Sequence, residues 1–129
     1  MGLTFDTGAL IGLERSRHSM RKVYDTAVSN EVRITVPAVV VAEWWRAGDR
    51  EKERARILRS VVVEPVSEHV ARLAGVALTL TPRAQTIDAI VMASASQRPS
   101  EVLYTSDPRD LELLRECVPQ FSAIRIERA

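Results

Sequence analysis

The sequence predicts an α/β domain with three layers (α/β/α), in which helices cover both faces of a mostly parallel central sheet. Short β-branched and apolar segments alternate with helical segments along the whole chain, an order typical of parallel sheets. The strand segments are predominantly apolar, which indicates burial on both faces. The 129 residues, 46% of them hydrophobic, are enough for one core, and no repeat or linker divides residues 1–129. We therefore expect a single domain.

The elements of the first half are predicted from residue spacing. Apolar residues at intervals of three and four indicate helices, and β-branched runs indicate strands. Asp6 or Thr7 is suited to cap the first helix, Pro37 to open the third, and Pro65 to end the third strand. The predicted elements are the strand Gly2–Phe5, the helices Ala9–Arg15 and Ser19–Val28, the strand Val32–Val36, the helices Val39–Ala47 and Asp49–Ser60, and the strand Val61–Val66.

The second half repeats the alternation of helix and strand. Ser67 is a favourable N-cap, Thr81-Pro82 breaks the chain, and Pro108 suits a first helical turn. The predicted elements are the helices Glu68–Leu80 and Thr86–Gln97, the strand Val102–Thr105, the helix Asp107–Cys117 and the strand Ala123–Ile126.

The charge of the chain does not by itself identify a partner. The formal net charge is +1, so general electrostatic binding to nucleic acid is not indicated by the total. Of the 18 basic residues only Lys22 and Lys52 are lysines. The planar guanidinium of arginine suits phosphate groups, although genome composition alone also produces such a bias.

Cysteine content and hydropathy indicate the compartment. The single cysteine, Cys117, has no partner for an internal disulfide, which suits a reducing cytosol. The longest apolar run, Val36–Ala42, is far shorter than the roughly 20 residues of a membrane span. No basic leader precedes the first apolar run. We therefore expect a cytoplasmic protein without a membrane partner.

Four acidic residues occupy unusual places. Asp6 directly follows one predicted strand and Asp107 comes shortly after another, and ligands gather at the carboxyl ends of parallel strands. Glu43 and Asp88 lie within apolar helices, where an unpaired carboxylate is costly. Convergence of these carboxylates requires a cation, because like charges otherwise repel. Oxygen ligands without a histidine or cysteine cluster favour Mg²⁺, with Mn²⁺ as a substitute.

Each acid also has an ordinary structural explanation. Asp6 and Asp107 are suited to cap helices, and so is Asp88 if its helix begins later than predicted. Glu43 has a partner at the i+3 position in Arg46, or faces solvent.

Four motifs follow one another along the chain, namely Asp-Thr-Gly-Ala-Leu at 6–10, Ala-Glu-Trp-Trp-Arg at 42–46, Ile-Asp-Ala at 87–89 and Thr-Ser-Asp-Pro-Arg-Asp-Leu at 105–111. With these motifs the chain resembles the PIN domain, and more narrowly the VapC-type toxins of VapBC toxin–antitoxin pairs. The resemblance covers nearly the whole chain, and its most specific element is the last of the four motifs. One departure is the segment Thr81–Thr86, which lacks the glycines often present there in the family.

The resemblance implies a metal-dependent endoribonuclease that acts as the toxin of a type II toxin–antitoxin pair. Its acidic cluster would be Asp6, Glu43, Asp88 and Asp107, with Asp110 as a further contributor or a first-turn acid. The implied reaction is hydrolysis of RNA by metal-activated water, leaving a 5′-phosphate and a 3′-hydroxyl. A VapB-type antitoxin and a homodimer are also implied. Three further residues resemble family positions that orient the acids or bound water, namely Thr7, Thr105 and Ser106. Helix capping is the alternative role for each of them.

Further residues are candidates for contacting the substrate. Trp44 and Trp45 are adjacent and therefore face different directions on a helix. At least one of them is expected in the core, and the other contacts a base or a partner. Several basic residues would attract RNA, or are ordinary surface charges, namely Arg15, Arg17, Arg21, Lys22, Arg46 and Arg50.

Two other classes of protein fit parts of this pattern. A magnesium-dependent phosphatase would have a second aspartate where Gly8 stands, and a receiver domain would have a lysine after a late strand, whereas Lys22 and Lys52 are both early. A non-catalytic PIN-like module that only binds RNA or protein would typically have lost an acid, and all four acids are present.

Overall fold

The computed structural model describes residues 1–129 and has one central sheet of five strands, all parallel. The spatial order is β3-β2-β1-β4-β5, so β1 lies at the centre and β3 and β5 form the edges. The predicted mostly parallel sheet is confirmed. The strands are β1 (Gly2–Phe5), β2 (Ile34–Pro37), β3 (Val62–Glu64), β4 (Glu101–Thr105) and β5 (Arg125–Arg128).

Seven α-helices surround the sheet, and a short 3₁₀ turn at Pro119–Phe121 precedes the last strand. None of the helices has the length and hydrophobicity that crossing a bilayer requires. The helices are α1 (Thr7–Glu14), α2 (His18–Ser29), α3 (Ala38–Trp44), α4 (Glu51–Arg59), α5 (Glu68–Leu80), α6 (Thr86–Ala95) and α7 (Pro108–Cys117).

Burial follows the position of each strand in the sheet. All residues of β1 and β2 are buried, as their apolar sequences predict. The edge strands are different, because Val62 and Val63 of β3 are exposed and β5 has no buried residue. The prediction of burial on both faces is therefore right for the central strands and wrong for the edges, where neighbouring elements cover less of the sheet.

The main difference from the predicted boundaries lies at the end of α3. The helix was expected to continue to Ala47, but it ends at Trp44 because Trp45 has an extended backbone (φ −65°, ψ 133°). The guanidinium of Arg46 folds back and donates hydrogen bonds to the carbonyls of Ala42 and Trp45, at 3.3 and 2.6 Å. Side-chain donors of this kind stabilise a helix C-terminus. β5 also begins two residues later than predicted, at Arg125.

A buried ion-pair network joins the end of α6 to the sheet. Arg98 donates to Glu64 at 2.7 Å, to Glu101 at 2.8 Å and to Thr4 Oγ1 at 3.0 Å. The side chains of Arg98 and Glu101 are only 9% and 1% exposed. This network compensates the charge of Glu101 within the core.

The topology places two strand ends side by side at one edge of the sheet. β1 pairs with β4, and Phe5 lies opposite Tyr104 at the end of the shared ladder. The residues that follow each strand, starting at Asp6 and at Ser106, therefore emerge next to one another. α1 and α7 both begin at this edge.

Candidate functional site

The first two predicted acids lie at these adjacent strand ends. Asp6 caps α1, and its Oδ1 accepts a hydrogen bond from Ala9 N at 3.0 Å. Asp107 occupies the N-cap position of α7, but its carboxylate accepts no capping hydrogen bond. Its own amide donates to Thr105 Oγ1 at 3.1 Å. Helix capping thus explains part of the role of Asp6, but it does not explain why Asp107 has a carboxylate.

Gly8 allows the two acidic turns to approach closely. A Cβ atom at position 8 would overlap Ser106 Oγ, and would lie 2.6 Å from Ser106 Cβ and 3.0 Å from Ser106 N. The first turn of α1 therefore packs directly against the turn that leads to Asp107. Only glycine permits this contact without displacing one of the two turns.

The other two predicted acids come from α3 and α6. Glu43 is exposed, and its Oε1 accepts a hydrogen bond from Thr7 Oγ1 at 2.5 Å. The expectation that Glu43 lies in an apolar environment is wrong, because α3 turns Val40 and Trp44 toward the core and leaves Glu43 at the surface. Asp88 lies half-buried in the first turn of α6. Glu43 and Asp88 line a cleft of about 440 Å³ together with Gln85, Thr86 and Ile87.

The electrostatics of Asp88 show that the acids influence one another. Burial, and then the charges of Asp6, Asp110, Glu43 and Asp107, raise the pKa of Asp88 from 3.8 to about 6. Asp88 thus lies in a field produced by the three other predicted acids and by Asp110, the proposed fifth contributor. None of these five residues forms a salt bridge; every ion pair of the chain involves other carboxylates.

Asp6 is influenced in the same direction. Burial raises the pKa of its carboxyl group above the ordinary value, and the charge of Glu43 adds to the increase. Hydrogen bonds from the Thr105 side chain and from the amides of Ala9 and Gly8 oppose this effect without cancelling it.

The candidate ligand atoms are of the chemical type that a divalent cation binds, but they do not lie close enough together to hold one. All are carboxylate oxygens, the ligands that Mg²⁺ and Mn²⁺ prefer. However, no three acidic, histidine or cysteine side chains lie close enough together to hold a metal ion as they stand. Binding a cation would require the carboxylates to turn toward one another. A cation bound among them would relieve the repulsion at Asp88.

Basic residues lie close to one of the acids, Asp107. A second cleft, of about 660 Å³, lies beside Asp107 and includes Arg109 and Arg128. Arg128 Nη1 donates to Ser106 O at 3.3 Å. Neither arginine was singled out from the sequence, because nothing in the local pattern distinguishes them from other surface charges.

The residues expected to contact a substrate are mostly engaged elsewhere. Arg46 binds main-chain carbonyls, Arg50 binds Glu14, and Arg21 lies over the ring of Tyr24. Trp44 is buried, as expected for one of the pair, and Trp45 is half-buried beside it with the two rings in a T-shaped arrangement. The residues that remain exposed without such contacts are Arg15, Arg17 and Lys22.

Sequence reasoning missed Glu14, which is buried and surrounded by donors. Its carboxylate accepts hydrogen bonds from Trp44 and Arg54 and pairs with Arg50. Burial alone would raise the pKa of Glu14, but hydrogen bonds from Arg54 and Trp44 and the charges of Arg54 and Arg50 lower it below the usual value. A signal was present, since Leu10, Leu13 and Glu14 share one face of α1.

Residues 3–115 match the family described as PIN domain. No curated protein sequence matches significantly.

The chain is similar to several solved structures at low sequence identity. VapBC2 from Rickettsia felis, bound to a DNA fragment from its promoter, aligns with a TM-score of 0.77 and 13% identity over 100% of this chain and 99% of that chain. DNA-bound VapBC from Salmonella typhimurium aligns with a TM-score of 0.71 and 16% identity over 99% and 98% of the two chains. A toxin–antitoxin complex from Klebsiella pneumoniae aligns with a TM-score of 0.65 and 18% identity over 85% and 89%. These likenesses show a shared fold.

Proposed function

The chain belongs to the PIN-domain family, and from this premise we propose that it is a metal-dependent endoribonuclease acting as the toxin of a type II toxin–antitoxin pair. The observation that supports the site most directly is the field at Asp88. Four other carboxylates, at α1, α3 and α7, raise its pKa, and none of the five acids forms a salt bridge with a cationic side chain. Such an arrangement is unfavourable unless an external cation binds there.

Asp6, Asp88 and Asp107 would hold Mg²⁺ or Mn²⁺, and Glu43 a second ion or a water molecule. A bound divalent cation supplies Lewis acidity, which lowers the pKa of water and offsets the negative charge of a phosphodiester. The protein contributes the placement of its carboxylates. The amide of Ala9 fixes Asp6, the hydroxyl of Thr7 fixes Glu43, and Asp107 keeps its carboxylate oxygens available.

The substrate would approach between the two clefts that flank the acids. Gln85 and Thr86 offer neutral polar groups in the cleft beside Glu43 and Asp88. Arg109 and Arg128 offer positive charge in the cleft beside Asp107. Phosphate groups are attracted to arginine and repelled by carboxylates, so we assign the arginine side to the neighbouring phosphates of an RNA strand.

The likeness to toxin–antitoxin complexes supports a VapB-type antitoxin as the protein partner, and we further propose a cytoplasmic homodimer. The antitoxin would need to cover the acidic edge of the sheet in order to inhibit cleavage. A purified complex is therefore expected to be inactive until the partner is removed.

The decisive experiment is incubation of the partner-free protein with a defined set of RNAs. One arm receives Mg²⁺ or Mn²⁺ and the other a chelator. Asp88→Asn is the test variant, and Asp25→Asn, which removes an exposed aspartate on α2, is the matched control. Metal-dependent cleavage that is lost only in Asp88→Asn supports the proposal, and products with a 5′-phosphate and a 3′-hydroxyl identify the reaction.

A second candidate is a non-catalytic PIN-like module that binds RNA or protein. The observation that favours it is the open spacing of the acids, no three of which are close enough to hold a metal ion. Calorimetric titration with Mn²⁺ distinguishes the two candidates. Binding that is lost in Asp88→Asn favours the nuclease, whereas no binding and no cleavage of any RNA favour the module.

A further inference from the structure

Glu14, at the end of α1, has more hydrogen-bonded contacts than any other carboxylate in the structure. It is 6% exposed, and it accepts from Trp44 Nε1 at 2.9 Å and from Arg54 Nε and Nη2 at 3.1 Å each. Arg50 Nε completes the set at 2.5 Å. The carboxylate therefore joins three elements, since Trp44 ends α3 and both arginines lie at the start of α4 or within it.

The position of α3 depends on such contacts. α3 has only seven residues, and a helix this short is not stable without tertiary contacts. Two side-chain hydrogen bonds connect it to α1, namely Thr7 to Glu43 and Trp44 to Glu14. Water competes for the first, which is exposed. The second is buried and protected from water, so it restrains α3 more strongly.

Residues of α4 reinforce the buried contact. Arg54 Nη1 donates to the carbonyl of Arg46 at 3.0 Å, and its guanidinium carbon lies 6.0 Å from the centre of the Trp44 ring. Arg54 therefore touches the end of α3 while it pairs with Glu14. Loss of the Glu14 charge would free Arg54 and loosen the end of the helix.

We propose that Glu14 is a positioning residue for Glu43. By holding Trp44, it sets where the adjacent Glu43 lies relative to Thr7 and to the acids at the strand ends. The consequence for metal binding and cleavage rests on the proposed function, whereas the effect on α3 does not. Glu14 is expected to act only through α3, because its own carboxylate is saturated by donors from Trp44, Arg50 and Arg54.

Two variants test this inference, with a matched control. Glu14→Gln keeps an acceptor for Trp44 but removes the charge that holds the arginines. Trp44→Phe keeps a buried, smaller aromatic ring and removes the Nε1–H donor, so it remains informative if Glu14→Gln folds poorly. The control is Glu64→Gln, which also removes a carboxylate paired with an arginine, but whose hydrogen bonds go to Ser94 and Arg98.

Two properties are measured at a temperature where thermal melts show every variant to be folded. The first is Mn²⁺ affinity by electron paramagnetic resonance, and the second is amide hydrogen exchange at the end of α3, where Trp45 N donates to Val41 O at 2.7 Å. We expect Mn²⁺ affinity to fall roughly tenfold in both test variants, the lower end of the range for residues that orient metal ligands. Exchange at Trp45 should accelerate, and Glu64→Gln should change neither property.

The outcomes separate this inference from the proposed function. Unchanged exchange at Trp45 in both test variants overturns the positioning role in every case, and so does unchanged Mn²⁺ affinity if the wild type binds Mn²⁺. A wild type that neither binds Mn²⁺ nor cleaves RNA contradicts the proposed function instead. The exchange measurement then decides the inference alone, and acceleration beyond that of Glu64→Gln supports it.

Discussion

Replacing Asp88 with asparagine is expected to stabilise the fold at neutral pH while abolishing cleavage. Burial and the surrounding carboxylates raise the pKa of Asp88 from 3.8 to about 6, so the folded chain holds this proton more tightly than the unfolded chain does. The contribution of Asp88 to stability is therefore greatest below pH 3.8 and is lost as the pH rises through about 6. Asparagine does not titrate and avoids this loss.

The size of the effect follows from the difference in pKa. A rise from 3.8 to about 6 corresponds to about 3 kcal/mol, which is an upper bound. Asp88 is only half-buried, so solvent screening reduces this to about 1–2 kcal/mol. For a chain of this length that is a rise in melting temperature of roughly 4–8 °C. No hydrogen bond to the Asp88 carboxylate is present that asparagine would lose.

The assay is thermal unfolding of wild type, Asp88→Asn and Asp25→Asn at pH 7.5 and pH 5.0, with a chelator present. The melting temperature of Asp88→Asn should exceed that of the wild type by more at pH 7.5 than at pH 5.0. The control variant should show no such trend. Adding Mn²⁺ in place of the chelator should stabilise the wild type more than Asp88→Asn. If Asp88→Asn melts at or below the wild-type temperature at pH 7.5 without metal, the electrostatic reasoning is wrong.

Three further predictions concern packing and buried charge. Gly8→Ala should reduce cleavage at least 100-fold, because its Cβ displaces the Ser106 turn, and Ser106→Gly in the same chain should restore part of the activity in an RNA cleavage assay. Arg98→Met should destabilise the fold by about 3–5 kcal/mol in urea titrations, because Glu101 is left buried without its cation; a loss under 1 kcal/mol would contradict this. The pKa of Glu14 is lowered in the folded chain, so its ionised carboxylate stabilises the fold above the ordinary glutamate pKa, and this stabilisation is lost on acidification. The wild type should therefore lose more stability than Glu14→Gln between pH 6 and pH 3, as measured by urea titration at each pH.

The order of strands and helices was predictable because each segment has a clear local pattern. α6, for example, is apolar on nearly every side, and Asp88 near its start is the exception. The boundary of α3 was not predictable in the same way. It ends where Trp44 meets Glu14, 30 residues away, and where Arg46 turns back onto the helix. Contacts between residues distant in sequence decide such details.

The sequence was enough to propose which residues form the candidate site, but not what surrounds each of them. Asp6 and Asp107 stand out because each follows a strand, yet only the sheet order shows that β1 and β4 are neighbours. Glu43 was expected among apolar residues because its sequence neighbours are apolar, but their side chains face the core and its own faces solvent. The close approach of Gly8 to Ser106 has no signal in the sequence, because the two residues are brought together only by the pairing of β1 with β4.

The chain treats its acids in two different ways, and this contrast is the strongest physical argument for a site. Glu14 and Glu101, the two most buried carboxylates outside the candidate site, each have arginine partners within hydrogen-bonding distance. The four predicted acids of the candidate site have none, although burial and mutual repulsion raise the pKa of two of them. Arginine is abundant in this sequence, so a protein cation was available to the fold. Leaving these carboxylates without one costs stability, and a cost of this kind is expected where the carboxylates bind a cation from solution.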